Sequence, residues 1–318
     1  MAATTPSRFL QLPAAVRRAA LSSAFAPTFR ARTLPQKNIL AAPIRHYATA
    51  EAPHSHAQSS SSVNETEVAH FNALASSWWD PQGSSRLLHL MNPLRHDFIR
   101  RCLGQEARRP DEKLRYLDIG CGGGIFAESA ARMKNSAGVI AVDPTPEVIS
   151  VARRHARQDP ALLERGKLRY INAPVEDLAQ HIQDPKERQF DVVSLFEVIE
   201  HIQHPSPFLQ TCLQHVKPGG WLIGSTIARH PVSWFTTKFM AEDVLRLVPR
   251  GTHDWDQYIQ PQELRDWARR QTDLSTSDGL GWQLQGVVYV PGVGWKEVSG
   301  SETFGNYFFG FKKRADAL

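Results

Sequence analysis

Two carboxylates and an imidazole crowd residues 195–201, Leu-Phe-Glu-Val-Ile-Glu-His, directly after an apolar run. Glu197, Glu200 and His201 stand at i, i+3 and i+4, so on a helical turn all three would share one face. Such a set offers a divalent ion two hard oxygens and one nitrogen. It equally suits a metal-free general base, with His201 taking a proton while Glu197 or Glu200 sets its tautomer. A third reading leaves one glutamate as a helix cap. His253 and Asp254 form a second polar pair, with a satisfied loop histidine as the ordinary alternative.

A second constellation is the glycine run Leu-Asp-Ile-Gly-Cys-Gly-Gly-Gly at 117–124, followed by Asp143 at the end of the next apolar stretch. Glycines at a strand-to-helix turn let a ligand approach the backbone, and a later acid can hold a ribose diol. Gly122, Gly124 and Ala127 satisfy the dinucleotide pattern G-x-G-x-x-A, a weak signal alone. Asp118 argues against a pyrophosphate, which would meet a carboxylate two residues before the first glycine. S-adenosylmethionine carries no phosphate, and its ammonium can be bound, directly or through water, by acidic and carbonyl groups beside this loop. Its ribose suits Asp143. The purely structural reading is a tight turn capped by Asp118.

The elements that must position these residues alternate. Residues 114–120, 138–143, 167–173, 190–196 and 221–226 are short apolar runs, with helical spacing between them. Thr145 and Pro146 predict a helix start, as do Ser206 and Pro207. Lys-Pro-Gly-Gly at 217–220 predicts a turn into the fifth strand. The pattern is α/β, a doubly wound, mostly parallel sheet with helices on both faces. Each motif falls at the carboxyl end of a strand, where such sheets bind ligands.

The ends differ in character from this region. Seven of the 37 basic residues lie in residues 1–50, which hold no Asp or Glu; the other 30 face 32 acidic residues. Acid-free, basic, Ser- and Ala-rich N-termini are organelle presequences, so residues 1–47 read as a mitochondrial presequence. Residues 48–63 read as a disordered linker, and 64–318 as the folded domain. Three scattered cysteines (Cys102, Cys121, Cys212) form neither a disulfide framework nor a zinc spacing. Without the basic N-terminus nothing argues for nucleic acid.

The stretches at 116–129, 139–156 and 217–226 resemble class I S-adenosylmethionine-dependent methyltransferases. Residues 70–99, with Trp78-Trp79-Asp80, 196–205, and 244–261, with Arg250-Gly251-Thr252-His253-Asp254-Trp255, narrow the resemblance to the ubiquinone-biosynthesis O-methyltransferases in their mitochondrial form. It covers residues 64–270 well. It implies a Rossmann-like domain ending in an antiparallel strand pair, with cofactor-binding residues Arg95, Gly120, Gly122, Asp143 and Phe196, the last beside the adenine. It implies Glu197, Glu200 and His201 as ligands of a divalent metal, Mg2+ being the expected ion, and His201 and Glu200 as catalytic residues. The implied acceptor is a polyprenylated dihydroxybenzoate and a later hydroxylated quinol. The implied setting is peripheral, on the matrix side of the mitochondrial inner membrane, with other ubiquinone-biosynthesis proteins in a complex. Ala228 and the run at 289–295 depart from the family pattern on the acceptor side. Residues 228–250 carry an apolar stripe (Phe235, Phe239, Met240, Val244, Leu247, Val248) with basic residues nearby, which suits an interfacial helix on anionic lipid or a lid over the acceptor. The competing functions are a methyltransferase of another small molecule, protein or nucleic acid, and a non-catalytic scaffold.

Overall fold

The computed structural model describes residues 62–104, 112–233, 257–275 and 281–315. The expectations for the presequence, for the linker up to residue 61, for 234–250, and for His253 and Asp254 lie outside the described residues.

Five apolar segments form the parallel half of the sheet: β1 (Leu114–Ile119), β2 (Ser136–Asp143), β3 (Leu168–Asn172), β4 (Phe190–Phe196) and β5 (Val216–Ile227). They read as continuous apolar runs because both faces are covered. The chain continues through β6 (Leu274–Ser275), β7 (Trp282–Val290), β8 (Gly294–Glu297) and β9 (Asn306–Lys313). The strand order is β3-β2-β1-β4-β5-β9-β7-β8, with β6 paired to β9. The first five pair in parallel, while β9, β7 and β8 are antiparallel additions. The expected C-terminal pair is therefore four strands, because β9 pairs with β5, β6 and β7 along its length.

The helices are α1 (Glu65–Leu74), α2 (Arg86–Leu103), α3 (Ile125–Ala131), α4 (Pro146–Ala156), α5 (Pro205–Gln214) and α6 (Pro261–Arg269), besides shorter turns. Asn64 caps α1 by accepting from the Thr66 N–H at 3.0 Å. Pro146 opens α4 as expected, but the Thr145 side chain makes no capping bond. The start of α5 falls on Pro205, with His204 rather than Ser206 as N-cap. Lys217–Gly220 does not turn into β5 but lies within it. The β4 register jumps from Phe190 opposite Val216 to Val192 opposite Trp221, so the extra residues bulge, with Gly219 at φ 76°.

Each face of the sheet carries its own core. On one side Leu195, Phe208, Leu213, Leu264 and Trp267 seal α5 and α6 against the strands. On the other, Met91, Phe98, Phe126, Ile149, Trp221 and Phe308 seal α2, α3 and α4. Full burial of each such side chain contributes about 1.5–3 kcal/mol, which holds the carboxyl ends of β1, β2 and β4 in place. In contrast, α1 buries no residue completely; it lies over those strand ends. No described helix is long and apolar enough to cross a membrane.

Candidate active site

The carboxyl ends of the parallel strands open into a cavity of about 620 Å3, within the ~300–1,000 Å3 span of small-molecule sites. Arg95, Gly120, Gly122, Asp143, Phe196, Glu197, Glu200 and His201 all line it. Sequence positions more than a hundred residues apart therefore face one space.

The glycine loop connects β1 to α3. Gly120 has φ 65° and Gly122 φ 54°, conformations that cost an L side chain energy. Both also face close neighbours. A Cβ at Gly120 would fall 2.6 Å from Val198, and one at Gly122 would fall 2.3 Å from the Trp78 ring. The tryptophan pair thus has a physical role that spacing did not disclose: Trp78 covers the loop, and the Trp79 indole donates to the Gly123 carbonyl at 2.8 Å. Trp79 is in turn stacked on His155 at 3.4 Å.

Asp143 ends β2, and its two oxygens accept from the Gly122 N–H at 3.0 Å and the Thr145 N–H at 2.9 Å. Burial raises its pKa, and the same two backbone bonds pull it back. One carboxylate therefore holds the glycine loop while retaining lone pairs for a ligand. We expect Asp143→Ala to weaken cofactor binding by about 1.5–3 kcal/mol, the range for a bond to a charged group. It should also lower the melting temperature, since two amides lose their acceptor. Asp143→Asn, which keeps one acceptor oxygen, should recover part of both losses. Calorimetric titration and a thermal melt on each variant check this.

Arg95 comes from the middle of α2 and is only 4% exposed. Burial depresses its pKa, and the nearby charges of Glu197, Asp118 and Glu200 oppose that. Among the described residues its guanidinium has no hydrogen-bond or ion-pair partner; it lies 4.9 Å above the Phe196 ring. An unpaired buried cation on a cavity wall is costly and suits an anionic ligand group. Asp118, at the end of β1, accepts from Ser194 Oγ at 2.7 Å through Oδ1, while Oδ2 is unpartnered. Its pKa is pushed up to about 7, chiefly by burial, with Ser194 and Arg95 pulling it down.

Phe196 was expected beside an adenine. Its strand, β4, lies on one side of β1, and β2, which carries Asp143, lies on the other. Phe196 packs under Arg95 and edge-on against Phe126 at 4.8 Å. A ligand whose ribose sits at Asp143 has Ala173, Pro174 and Val175, beyond β3, on the side away from β4; these line the cavity too and were missed from sequence.

The 195–201 stretch is not one helical face. Glu197 has φ 57°, an uncommon conformation for a residue with a side chain, and a 3-10 turn begins only at Ile199. Glu197 accepts from Ser225 Oγ of β5 at 2.6 Å, and Asn306 Nδ2 of β9 lies 3.4 Å from its other oxygen. Glu200, 5% exposed, accepts from Thr226 Oγ1 at 2.9 Å. Burial and the Glu197 charge raise the Glu200 pKa well above the usual carboxylate range, with His201 and Thr226 opposing. The partner of His201 is neither of these glutamates: Nδ1 meets Glu67 Oε2 of α1 at 3.0 Å. Burial alone would lower the pKa of His201, but the Glu67 bond and the Glu200, Glu67 and Glu197 charges outweigh it and leave the ring more basic than usual. Glu67 escaped sequence reading because nothing near it marks chemistry.

As donors, two carboxylates and an imidazole fit a hard divalent ion. Among the described residues, however, no three His, Cys, Asp or Glu side chains stand gathered as a group that could hold one. Mg2+ is typically held by one or two carboxylates together with substrate oxygens rather than by a complete protein cage, and these donors fit that kind of site.

Comparison with known proteins follows the same geometry. A family model described as a methyltransferase domain matches residues 87–274. The mitochondrial ubiquinone biosynthesis O-methyltransferase of Candida albicans is 39% identical over 79% of this chain and 86% of its own length. That of Schizosaccharomyces pombe is 43% identical over 74% of this chain and 79% of its own. A bacterial ubiquinone biosynthesis O-methyltransferase, from Alkalilimnicola ehrlichii, is 42% identical over 72% and 84% respectively. Among solved structures, the plantazolicin methyltransferase BpumL in complex with SAH matches 78% of this chain and 97% of its own at TM-score 0.51 and 15% identity. The magnesium protoporphyrin IX methyltransferase of Synechocystis with bound SAH matches 79% and 100% at TM-score 0.51 and 14% identity. At those identities the likeness is one of fold.

Proposed function

The chain belongs to the ubiquinone biosynthesis O-methyltransferases, and on that premise we propose how its cavity transfers a methyl group from S-adenosylmethionine to a ring hydroxyl of a polyprenylated phenol. The observation that carries this reading is the buried, unpaired Arg95 guanidinium on the wall of the cavity that holds the glycine loop, Asp143 and His201. Arg95 takes the cofactor carboxylate, Asp118 the ammonium, directly or through water, and Asp143 the ribose hydroxyls. Phe196 packs against the amino-acid end rather than the purine, which lies toward Ala173 and Val175.

The acceptor ring enters from the side of Glu197, Glu200 and His201. A phenol has a pKa near ~10, so its proton must leave as its oxygen attacks. The oxygen forms a bond to the methyl carbon, the carbon–sulfur bond breaks, and the sulfonium becomes a neutral thioether; His201 takes the hydroxyl proton. Positioning supplies most of the acceleration, and the apolar walls beyond, including Val288 and Phe304, exclude water. Were a divalent ion such as Mg2+ bound, one or two of Glu197, Glu200 and His201 would hold it together with the acceptor's oxygens, and it would lower the hydroxyl pKa and orient a catechol. With His201 as a ligand, its lone pair would go to the ion and not to the proton. The relatives named mitochondrial support a mitochondrial location. We further propose peripheral contact with the inner membrane on its matrix side, alongside other enzymes of the pathway, because a polyprenyl tail partitions into lipid.

The test is methyl transfer to a short-chain prenylated dihydroxybenzoate, with and without chelator. The expected result is product formation that chelator abolishes and added Mg2+ restores, with cofactor affinity unchanged throughout. Full activity in chelator would leave His201 as a base acting without metal. Failure to methylate any phenol while the cofactor binds would favour another acceptor class.

A further inference from the structure

Glu67 lies on α1, before the first strand and outside every motif that marks the cofactor pocket. Its carboxylate meets His201 Nδ1 at 3.0 Å. Phe71, four residues later, meets the same imidazole edge-on, with ring centroids 5.2 Å apart. Residues i and i+4 share a helix face, so one face of α1 supplies both side chains that hold this ring. All three line the cavity. With Nδ1 engaged, Nε2 has no protein partner among the described residues.

We propose that Glu67 is a positioning residue for methyl transfer: its carboxylate keeps the single proton of neutral His201 on Nδ1 and so presents the Nε2 lone pair to the acceptor side of the cavity. The proposal rests on the role given to His201 above and deepens it. Removal of a hydroxyl proton needs a lone pair on the nitrogen that faces the hydroxyl. A divalent ion would need that same lone pair, and a carboxylate on the opposite ring nitrogen is the usual device that orients such a ligand. Glu67 therefore serves either chemistry. It also makes α1 a part of the reaction apparatus, although no residue of that helix is fully buried.

The test uses the full chain labelled with 15N in histidine, with the His201 signals assigned by their loss in His201→Gln. Long-range 1H–15N spectra distinguish the two neutral tautomers. Wild type is expected to show His201 protonated on Nδ1. Glu67→Leu should lose that preference and lower kcat roughly 10- to 100-fold, the range for partners of this kind. Its cofactor affinity and melting temperature should be retained. Glu67→Gln, whose carbonyl still accepts from Nδ1–H, should recover the tautomer and part of kcat. A Glu67→Leu protein with wild-type kcat overturns the proposal. So does one that loses activity while its His201 tautomer is unchanged, since Glu67 would then be merely structural. If His201→Gln itself retained full activity, the role of His201 would fall first, a result distinct from either.

Discussion

His201→Ala is expected to lower methyl transfer by about 10²–10⁴-fold, the contribution of a positioned acid or base, while cofactor affinity stays at the wild-type value. The separation follows from the sheet. His201 follows β4 and faces Glu67 and Phe71, whereas Asp143, which is expected to hold the ribose, ends β2 across β1. Glu200→Gln should act in the same direction. An amide can still accept from Thr226, so the fold should persist, but the charge that stabilises a protonated imidazole is lost. Single-turnover methyl transfer with cofactor titration in parallel makes the measurement. Equal losses of binding and turnover would place His201 at the cofactor instead.

Arg95→Met should do the converse and abolish tight cofactor binding. A hydrogen bond to a charged group is worth about 1.5–3 kcal/mol, or roughly 10- to 150-fold in Kd. Arg95→Lys should not rescue it, because a point charge on a flexible stem does not reproduce the planar fork lying over Phe196. The variant carries a pH signature as well. Asp118 has a pKa of about 7, and Arg95 is among the groups that lower it. The ionised carboxylate is the form that attracts an ammonium, so affinity should fall as pH falls through that value. Without Arg95 the Asp118 pKa rises further, and the fall should begin at a higher pH. A Kd series across pH for wild type and variant tests both statements; identical profiles would remove Asp118 from the ammonium site.

The core of this architecture was legible because its signals are local. Continuous apolar runs mark strands buried on both faces, and a glycine loop followed by Asp143 marks a strand-end pocket. Those patterns located β1 to β5 and the glycine-loop end of the cavity. They were weaker where a residue adopts a conformation its type disfavours. Glu197 in the left-handed region separates the 195–201 stretch into a strand end and a 3-10 turn, so helical spacing was the wrong measure of which side chains meet. Likewise Lys217–Gly220 carries turn residues, yet the neighbouring strands absorb it as a bulge in β5.

Residue types and spacing alone pointed to a doubly wound sheet and to a glycine loop that suits S-adenosylmethionine better than a dinucleotide, and they placed Glu197, Glu200 and His201 in one short stretch at a strand end. Only tertiary structure decided their partners. Ser225 and Asn306 for Glu197, Thr226 for Glu200 and Glu67 for His201 come from β5, β9 and α1. Contacts between elements far apart in sequence depend on strand order and on where a helix crosses the strand ends, and no local period encodes either. For the same reason spacing could not disclose that Phe196 lies under Arg95, with β1 between its strand and the one that carries Asp143.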